Sequence, residues 1–225
     1  RLKTVLNNTP KSLAPVGDKT FLYFLLKRWT SDNYNSITFL LHYEADQIKK
    51  YVNGLKKEAW LNGVDINYIE ESTPLGTGGS IANAIKELKI NDPFIVTNSD
   101  TWLFESFKGI EESHSNCIGL TKVDDATRFG SVGVQDGLIT SFHEKSETAL
   151  NKEKILINAG VYFLHPSAFF NNSKINFSIE KEVFPRLAFS KDLKPYFLNG
   201  SIIDIGIPED YKRFCILYNQ GNLQI

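Results

Sequence analysis

Apolar positions along this chain switch between a helical and a strand-like period. Residues 21–29 carry Phe21, Leu22, Phe24, Leu25, Leu26 and Trp29, which predicts a buried helix with Asp18 as its N-cap. A run of strand formers follows at 37–41, then a helical pattern over 45–55, a second strand at 66–69 and a second helix at 80–88. Residues 93–97 read as a third strand, ending on the polar Asn98-Ser99-Asp100. Strand and helix alternating in this way predict an α/β fold whose mixed, mostly parallel sheet is flanked by helices. The second half is different. Stretches 117–123, 131–134, 138–142 and 155–164 are strand-like, and Gln135-Asp136-Gly137 has the composition of a hairpin turn. An antiparallel extension of the first sheet is expected there. Residues 179–188 and 209–217 complete the set of helices. Without a long linker, low-complexity tract or repeat, the chain reads as one domain over 1–225.

Composition narrows the class. Apolar residues make up 42% and charged residues 23% of the 225, the usage of a soluble globular domain rather than a disordered or fibrous chain. Twenty-five Lys and Arg against 26 Asp and Glu give a net charge of −1, which argues against a broad basic surface for nucleic acid. No apolar run reaches the roughly 18 residues of a membrane span, so no membrane partner is expected. Cys117 and Cys215 form neither a metal cluster nor a disulfide framework, which fits a cytoplasmic location. The chain has no methionine and begins at Arg1, so its true N-terminus is expected upstream.

In open α/β sheets ligands bind beyond the carboxyl ends of strands. Three clusters fall at such ends. Leu75-Gly76-Thr77-Gly78-Gly79-Ser80 follows a strand and opens a helix, offering close backbone approach and free N–H groups to a polar ligand. A plain strand–helix turn would look the same. Asn98-Ser99-Asp100 supplies a carboxylate that suits Mg²⁺, although a helix N-cap or turn-forming Asp is common at such a strand exit. Asp204 lies among isoleucines in Ile202-Ile203-Asp204-Ile205-Gly206-Ile207-Pro208 and needs a metal, a cation or a hydrogen-bonded cap, with Pro208 opening the last helix. Asp100 and Asp204 together could bracket one ion. Lys11, Lys145 and Arg1 are the basic residues suited to phosphate, although most such side chains are simply solvated. His42, His114, His143 and His165 have no metal spacing, and no signature of covalent catalysis is present.

Taken together, these clusters resemble the sugar-1-phosphate nucleotidylyltransferase family. Arg1-Leu2 matches the end of that family's GxGTRL signature, and Thr9-Pro10-Lys11-Ser12-Leu13-Ala14-Pro15-Val16 resembles PKxxxPV. Glu71-Ser72-Thr73-Pro74-Leu75-Gly76-Thr77-Gly78-Gly79 is similar to ExxPLGTxG, and Asn98-Ser99-Asp100 stands for NGD. Arg128-Phe129-Gly130, Phe142-His143-Glu144-Lys145, Asn158-Ala159-Gly160-Val161-Tyr162 and Asp204-Ile205-Gly206-Ile207-Pro208 correspond to RYG, FxEK, NAGIY and DIGxP. Eight segments occur in family order over nearly the whole chain.

The resemblance implies a Rossmann-like nucleotide-diphospho-sugar transferase fold and a reaction. The phosphate of a sugar 1-phosphate attacks the α-phosphorus of an NTP, and pyrophosphate leaves, a chemistry of positioning and charge neutralisation. By that analogy Asp100 and Asp204 hold Mg²⁺, while Arg1, Lys11 and Lys145 serve the phosphates. Glu71, Leu75, Gly76, Thr77, Asn98 and Ser99 meet the nucleotide, and Gly130, Glu144, Asn158 and Gly160 line the sugar. A first strand and glycine-rich loop would precede Arg1. Ser99, Phe129 and Ser146 depart from the family's glycine, tyrosine and proline without removing a charge. PLGTGGSI, SIEKEVFP and DIGIPEDY look most like the heptose-1-phosphate guanylyltransferase branch, which implies GTP and a manno-heptose 1-phosphate. Mannose-1-phosphate guanylyl and hexose or hexosamine uridylyl transfer remain alternatives. So do a non-catalytic nucleotide-sugar-binding regulator and, against the missing DxD motif, a glycosyltransferase. Oligomeric state, including a homo-oligomer, stays open.

Overall fold

A computed structural model describes residues 9–126, 129–143, 155–170 and 174–223. In chain order the strands are β1 (Pro15–Val16), β2 (Lys19–Thr20), β3 (Ser36–Leu41), β4 (Asp65–Glu70), β5 (Phe94–Thr97) and β6 (Thr101–Leu103). They continue as β7 (Cys117–Val123), β8 (Ser131–Gln135), β9 (Leu138–His143), β10 (Ile155–Leu164), β11 (Lys194–Phe197) and β12 (Ile202–Asp204). The α-helices among these residues are Phe21–Ser31, Ala45–Leu55, Gly76–Leu88, Phe184–Phe189 and Pro208–Asn219. They form a mixed α/β fold divided into two compact units, one drawn from Arg1–Thr73, Ser99–Phe104 and Ile203–Ile225, the other from Pro74–Asn98 and Glu105–Ile202.

In the first unit, helix Phe21–Ser31 buries the expected residues Phe21, Leu22, Phe24, Leu25, Leu26 and Trp29. Its cap is Thr20, not Asp18: the Thr20 hydroxyl accepts from the Tyr23 N–H at 3.3 Å. A cap must adjoin the first helical residue, and β2 delivers the chain to Phe21 through Thr20. Asp18 pairs instead with Lys19 and accepts from the Tyr218 hydroxyl. The rings of Phe21, Phe24 and Trp102 meet Phe214 of the last helix edge-on, with centroids 4.8, 6.0 and 5.5 Å away. Burying each such side chain stabilises by about 1.5–3 kcal/mol. Strands β3 and β4 pair in parallel from Ser36↔Asp65 to Leu41↔Glu70. Two further strands, β6 and β12, pair with each other and are too short for a periodic signal.

The second unit is built on a sheet of order β11-β7-β10-β8-β9, with β5 also on β10. Ten-residue β10 is its centre, antiparallel to β5, β7 and β8. The β8–β9 hairpin turns through Asp136 and Gly137 at φ 52° and 75°, the paired positive angles of a tight hairpin. Parallel pairing occurs here between β11 and β7. Strand β5, which alternation assigns to a parallel sheet, bonds antiparallel to β10 on this side. The stretch expected as a helix over 179–188 opens as a wide π turn, Ile179–Val183, and continues as Phe184–Phe189. Pro185 offers no N–H to the carbonyl four residues back, so the ladder widens there. Phe184 stacks on Phe142 and packs against Tyr162, at 5.7 and 5.0 Å between centroids. No helix among the described residues is long and apolar enough to cross a membrane.

Candidate active site

Within the first unit, three of the charged residues singled out in the sequence come together. Pro10, at φ −53° and ψ 139°, leads into the short 3₁₀ turn Lys11–Leu13, and the Lys11 ammonium reaches Asp100 Oδ2 at 3.3 Å. The β6–β12 pairing brings Asp204 beside Asp100, with the Ile205 N–H donating to the Asp100 carbonyl at 2.9 Å. Asp204 is flanked by buried Ile203 and Ile205, and its Oδ1 accepts from the Gly206 N–H at 2.7 Å. That bond is a local turn of the Asp onto the backbone two residues on; the last helix takes Ile207 as its N-cap, without a side-chain cap bond. A methyl group at Gly206 would sit 2.8 Å from Asp204 Oδ1 and 3.5 Å from Lys11 Nζ, so carboxylate and ammonium share one small volume.

The electrostatics follow from this crowding. Burial, then the neighbouring Asp204 carboxylate, hold the Asp100 carboxyl above the usual aspartate range, while Lys11 pulls the other way. Two neighbouring carboxylates, one of them beside an ammonium, suit a hard divalent cation, which takes oxygen ligands and needs few from the protein when phosphate and water supply the rest. Among the described residues no group of three or more His, Cys, Asp or Glu could hold a metal. The Asp100–Asp204 pair supplies two neighbouring carboxylates. Glu71 immediately follows β4 in this same unit and is 9% exposed; its N–H donates to the Leu41 carbonyl, and its own carbonyl lies 3.0 Å from His42 Nδ1. Ser99 is exposed.

Two clusters stand in the second unit. In β10 the register against β7 shifts between Asn158 and Tyr162, a bulge in which Gly160 adopts φ 77°. Asn158 Oδ1 accepts from the Gly160 N–H at 2.8 Å, and Asn158 Nδ2 donates to the Tyr162 hydroxyl at 3.0 Å. The Asn98 N–H donates to the Gly160 carbonyl at 2.9 Å, and a methyl at Gly160 would meet Asn98 Nδ2 at 2.6 Å. Asn98, Asn158 and Gly160 are thus brought together by a bulge, and Gly130 immediately precedes β8, whose Ser131 pairs with Ile157.

The other cluster is the glycine loop. The helix starts at Gly76, four residues before the expected position 80, with Gly76 itself at φ 72°. Gly78 and Gly79 donate to the Phe177 carbonyl at 3.0 and 3.2 Å, the Phe177 N–H donates to the Leu75 carbonyl, and Asn176 Nδ2 donates to the Pro74 carbonyl at 2.7 Å. A methyl at Gly76 would lie 2.6 Å from the Phe177 carbonyl oxygen, and one at Gly78 would lie 2.4 Å from the Phe177 ring. Sequence reasoning missed Asn176, Phe177 and Glu180, because nothing local in 174–180 points to a loop a hundred residues earlier. Arg1, Glu144 and Lys145 lie outside the described residues.

With a Lys–Asp cluster in one unit and a glycine loop in the other, the chain falls by its family match in a nucleotidyl-transferring class of enzyme. The chain matches the nucleotidyl transferase family over residues 1–215 and belongs to it. It is 32% identical over 219 residues to the D-glycero-alpha-D-manno-heptose 1-phosphate guanylyltransferase of Campylobacter jejuni, covering 96% of this chain and 94% of that protein. It is 34% identical over 225 residues to the mannose-1-phosphate guanylyltransferase catalytic subunit beta of Drosophila pseudoobscura pseudoobscura, covering 97% of this chain but only 59% of that longer protein. Among solved structures, HddC from Yersinia pseudotuberculosis superposes with a TM-score of 0.82 at 33% identity, over 97% of this chain and 94% of that one. The same protein complexed with GMP-PN gives 0.79 at 31% identity, over 93% and 90%.

Proposed function

We propose that this nucleotidyltransferase moves GMP from GTP to a manno-heptose 1-phosphate, releasing pyrophosphate and forming a GDP-sugar. A phosphate oxygen of the sugar 1-phosphate attacks the α-phosphorus in line; the new P–O bond forms as the bond to pyrophosphate breaks. Such a reaction needs two anions brought together and the spreading negative charge neutralised. The observation that carries the reading is the Lys11–Asp100–Asp204 cluster.

Asp100 and Asp204 would hold Mg²⁺, which when bound polarises the α-phosphate and screens its charge from the nucleophile. Lys11 reaches Asp100 and would turn its ammonium to the triphosphate, with Arg1 and Lys145 assisting the phosphates. Leu75, Gly76, Asn98 and Ser99 are assigned to the nucleotide. Glu71 is assigned to the base: a carboxylate accepts two hydrogen bonds, which matches the adjacent N1–H and N2 amine of guanine. Gly130, Glu144, Asn158 and Gly160 are assigned to the sugar. Mannose 1-phosphate is the competing acceptor, supported by the similarity to the Drosophila subunit.

Pyrophosphate release measured over the four NTPs and a set of sugar 1-phosphates tests the assignment. GTP with manno-heptose 1-phosphate should be the fastest pair, and a large excess of UTP with a hexose phosphate would refute it. Asp100→Asn and Asp204→Asn should each lower kcat by on the order of 10²-fold or more and raise the Mg²⁺ concentration needed for half-maximal rate. An unchanged rate in either variant would remove the metal assignment.

A further inference from the structure

Thr77 Oγ1 donates to Glu180 Oε2 at 2.8 Å and accepts from the Ile179 N–H at 3.0 Å. The same Glu180 oxygen accepts from the Ser178 hydroxyl at 2.7 Å, and that hydroxyl caps the π turn by accepting from the Lys181 N–H at 3.2 Å. A hydroxyl has one proton, and Thr77 has spent it on Glu180. We infer that Thr77 is a positioning residue whose hydroxyl, latched to Glu180, holds the Leu75–Gly76 backbone in place for the nucleotide base, and does not itself touch the base.

The rest of the loop explains why a latch has something to do. Gly76 sits at positive φ, and Gly78 and Gly79 have no side chain with which to anchor themselves. Their places are fixed by backbone bonds to Phe177 and by the Asn176–Pro74 bond, all of them coming from the segment that Glu180 terminates. Thr77 and Glu180 close this zipper with a direct side-chain to side-chain bond. Loosening it leaves the reacting phosphates untouched and lets the base-binding backbone wander, an effect felt in binding more than in the chemical step.

This inference rests on the assignment of Leu75 and Gly76 to the nucleotide, and the test separates the two. Thr77→Val keeps the shape and removes the hydroxyl; Thr77→Ser keeps the hydroxyl; Glu180→Gln keeps an acceptor and removes the charge. Steady-state kinetics with GTP varied at saturating sugar 1-phosphate, and the reverse, give both KM values. Thr77→Val and Glu180→Ala should raise the KM for GTP roughly 5- to 20-fold, leave the KM for the sugar 1-phosphate and kcat within about twofold, and be largely rescued in Thr77→Ser and Glu180→Gln. Lower melting temperature with both KM values unchanged would overturn the latch. So would Thr77→Ser failing like Thr77→Val. Gly76→Ala is the control for the underlying assignment: if it leaves the KM for GTP unaltered, the loop is not the nucleotide site, whereas a raised KM there with a silent Thr77→Val refutes the latch alone.

Discussion

Single residues in this protein are set by what surrounds them, and Cys117 is a plain case. It opens β7 fully buried, and that burial pushes its thiol up to about 11. The sign of the consequence is fixed. In the unfolded chain the thiol loses its proton near pH 9, while in the fold it keeps it, so the folded state loses stability as pH rises from about 9 to about 11. The slope is about 1.4 kcal/mol per pH unit for one proton, and the whole loss is on the order of 1–3 kcal/mol. Urea midpoints compared between wild type and Cys117→Ala over that range should converge as pH rises; parallel curves would contradict the argument. Asp100 and Asp204 were legible as candidates at this scale because charge at a strand end is conspicuous in a sequence, and Lys11 because it follows Pro10 in a segment resembling the family's. Glu180 was not, since one more glutamate on a helix looks like any solvated charge.

Elements follow the apolar pattern wherever packing agrees with local preference. The helix Phe21–Ser31, strand β10 and the β8–β9 hairpin were all readable in this way, the hairpin from three residues. Gly76–Leu88 shows where reading stops. Glycines disfavour a helix by about 1 kcal/mol each, so the pattern alone starts that helix at 80. The structure starts it at Gly76 because Ile175 and Phe177 crowd against the glycines, leaving room only for residues without a side chain. Neither the neighbour nor the crowding is visible locally. The bulge in β10 makes a similar demand. Gly160→Ala would place a methyl 2.6 Å from Asn98 Nδ2 at a φ of 77°, a strain of about 1–2 kcal/mol before any rearrangement. We expect a lowered melting temperature and a KM for sugar 1-phosphate raised more than the KM for GTP. Equal effects on the two would detach the bulge from the sugar.

At the scale of the whole molecule, the alternating elements identified an α/β fold, and the family segments identified its chemistry. What they did not convey is how the chain is threaded. It passes from one unit to the other at Thr73–Pro74, Asn98–Ser99, Phe104–Glu105 and Ile202–Ile203. Only contacts distant in sequence decide that, and a pattern read along the chain contains no distances. Strands β6 and β12, three residues each, are too short to announce a partner a hundred positions away.

Phe214 gives this threading a consequence in time. A ribosome emits the chain from its first residue, and the Phe21, Phe24 and Trp102 rings then wait, without their partner ring, until the last helix emerges. Asp204 arrives equally late, so the acidic pair at the heart of the proposed site is completed only after the residues of the second unit have been made. The second unit has all of its residues by position 202 and can settle earlier. Protease digestion of arrested nascent chains should find 105–202 protected at lengths where 9–73 is still cut, and simultaneous protection of both would contradict this order. Catalytic competence would then have to wait for the second unit.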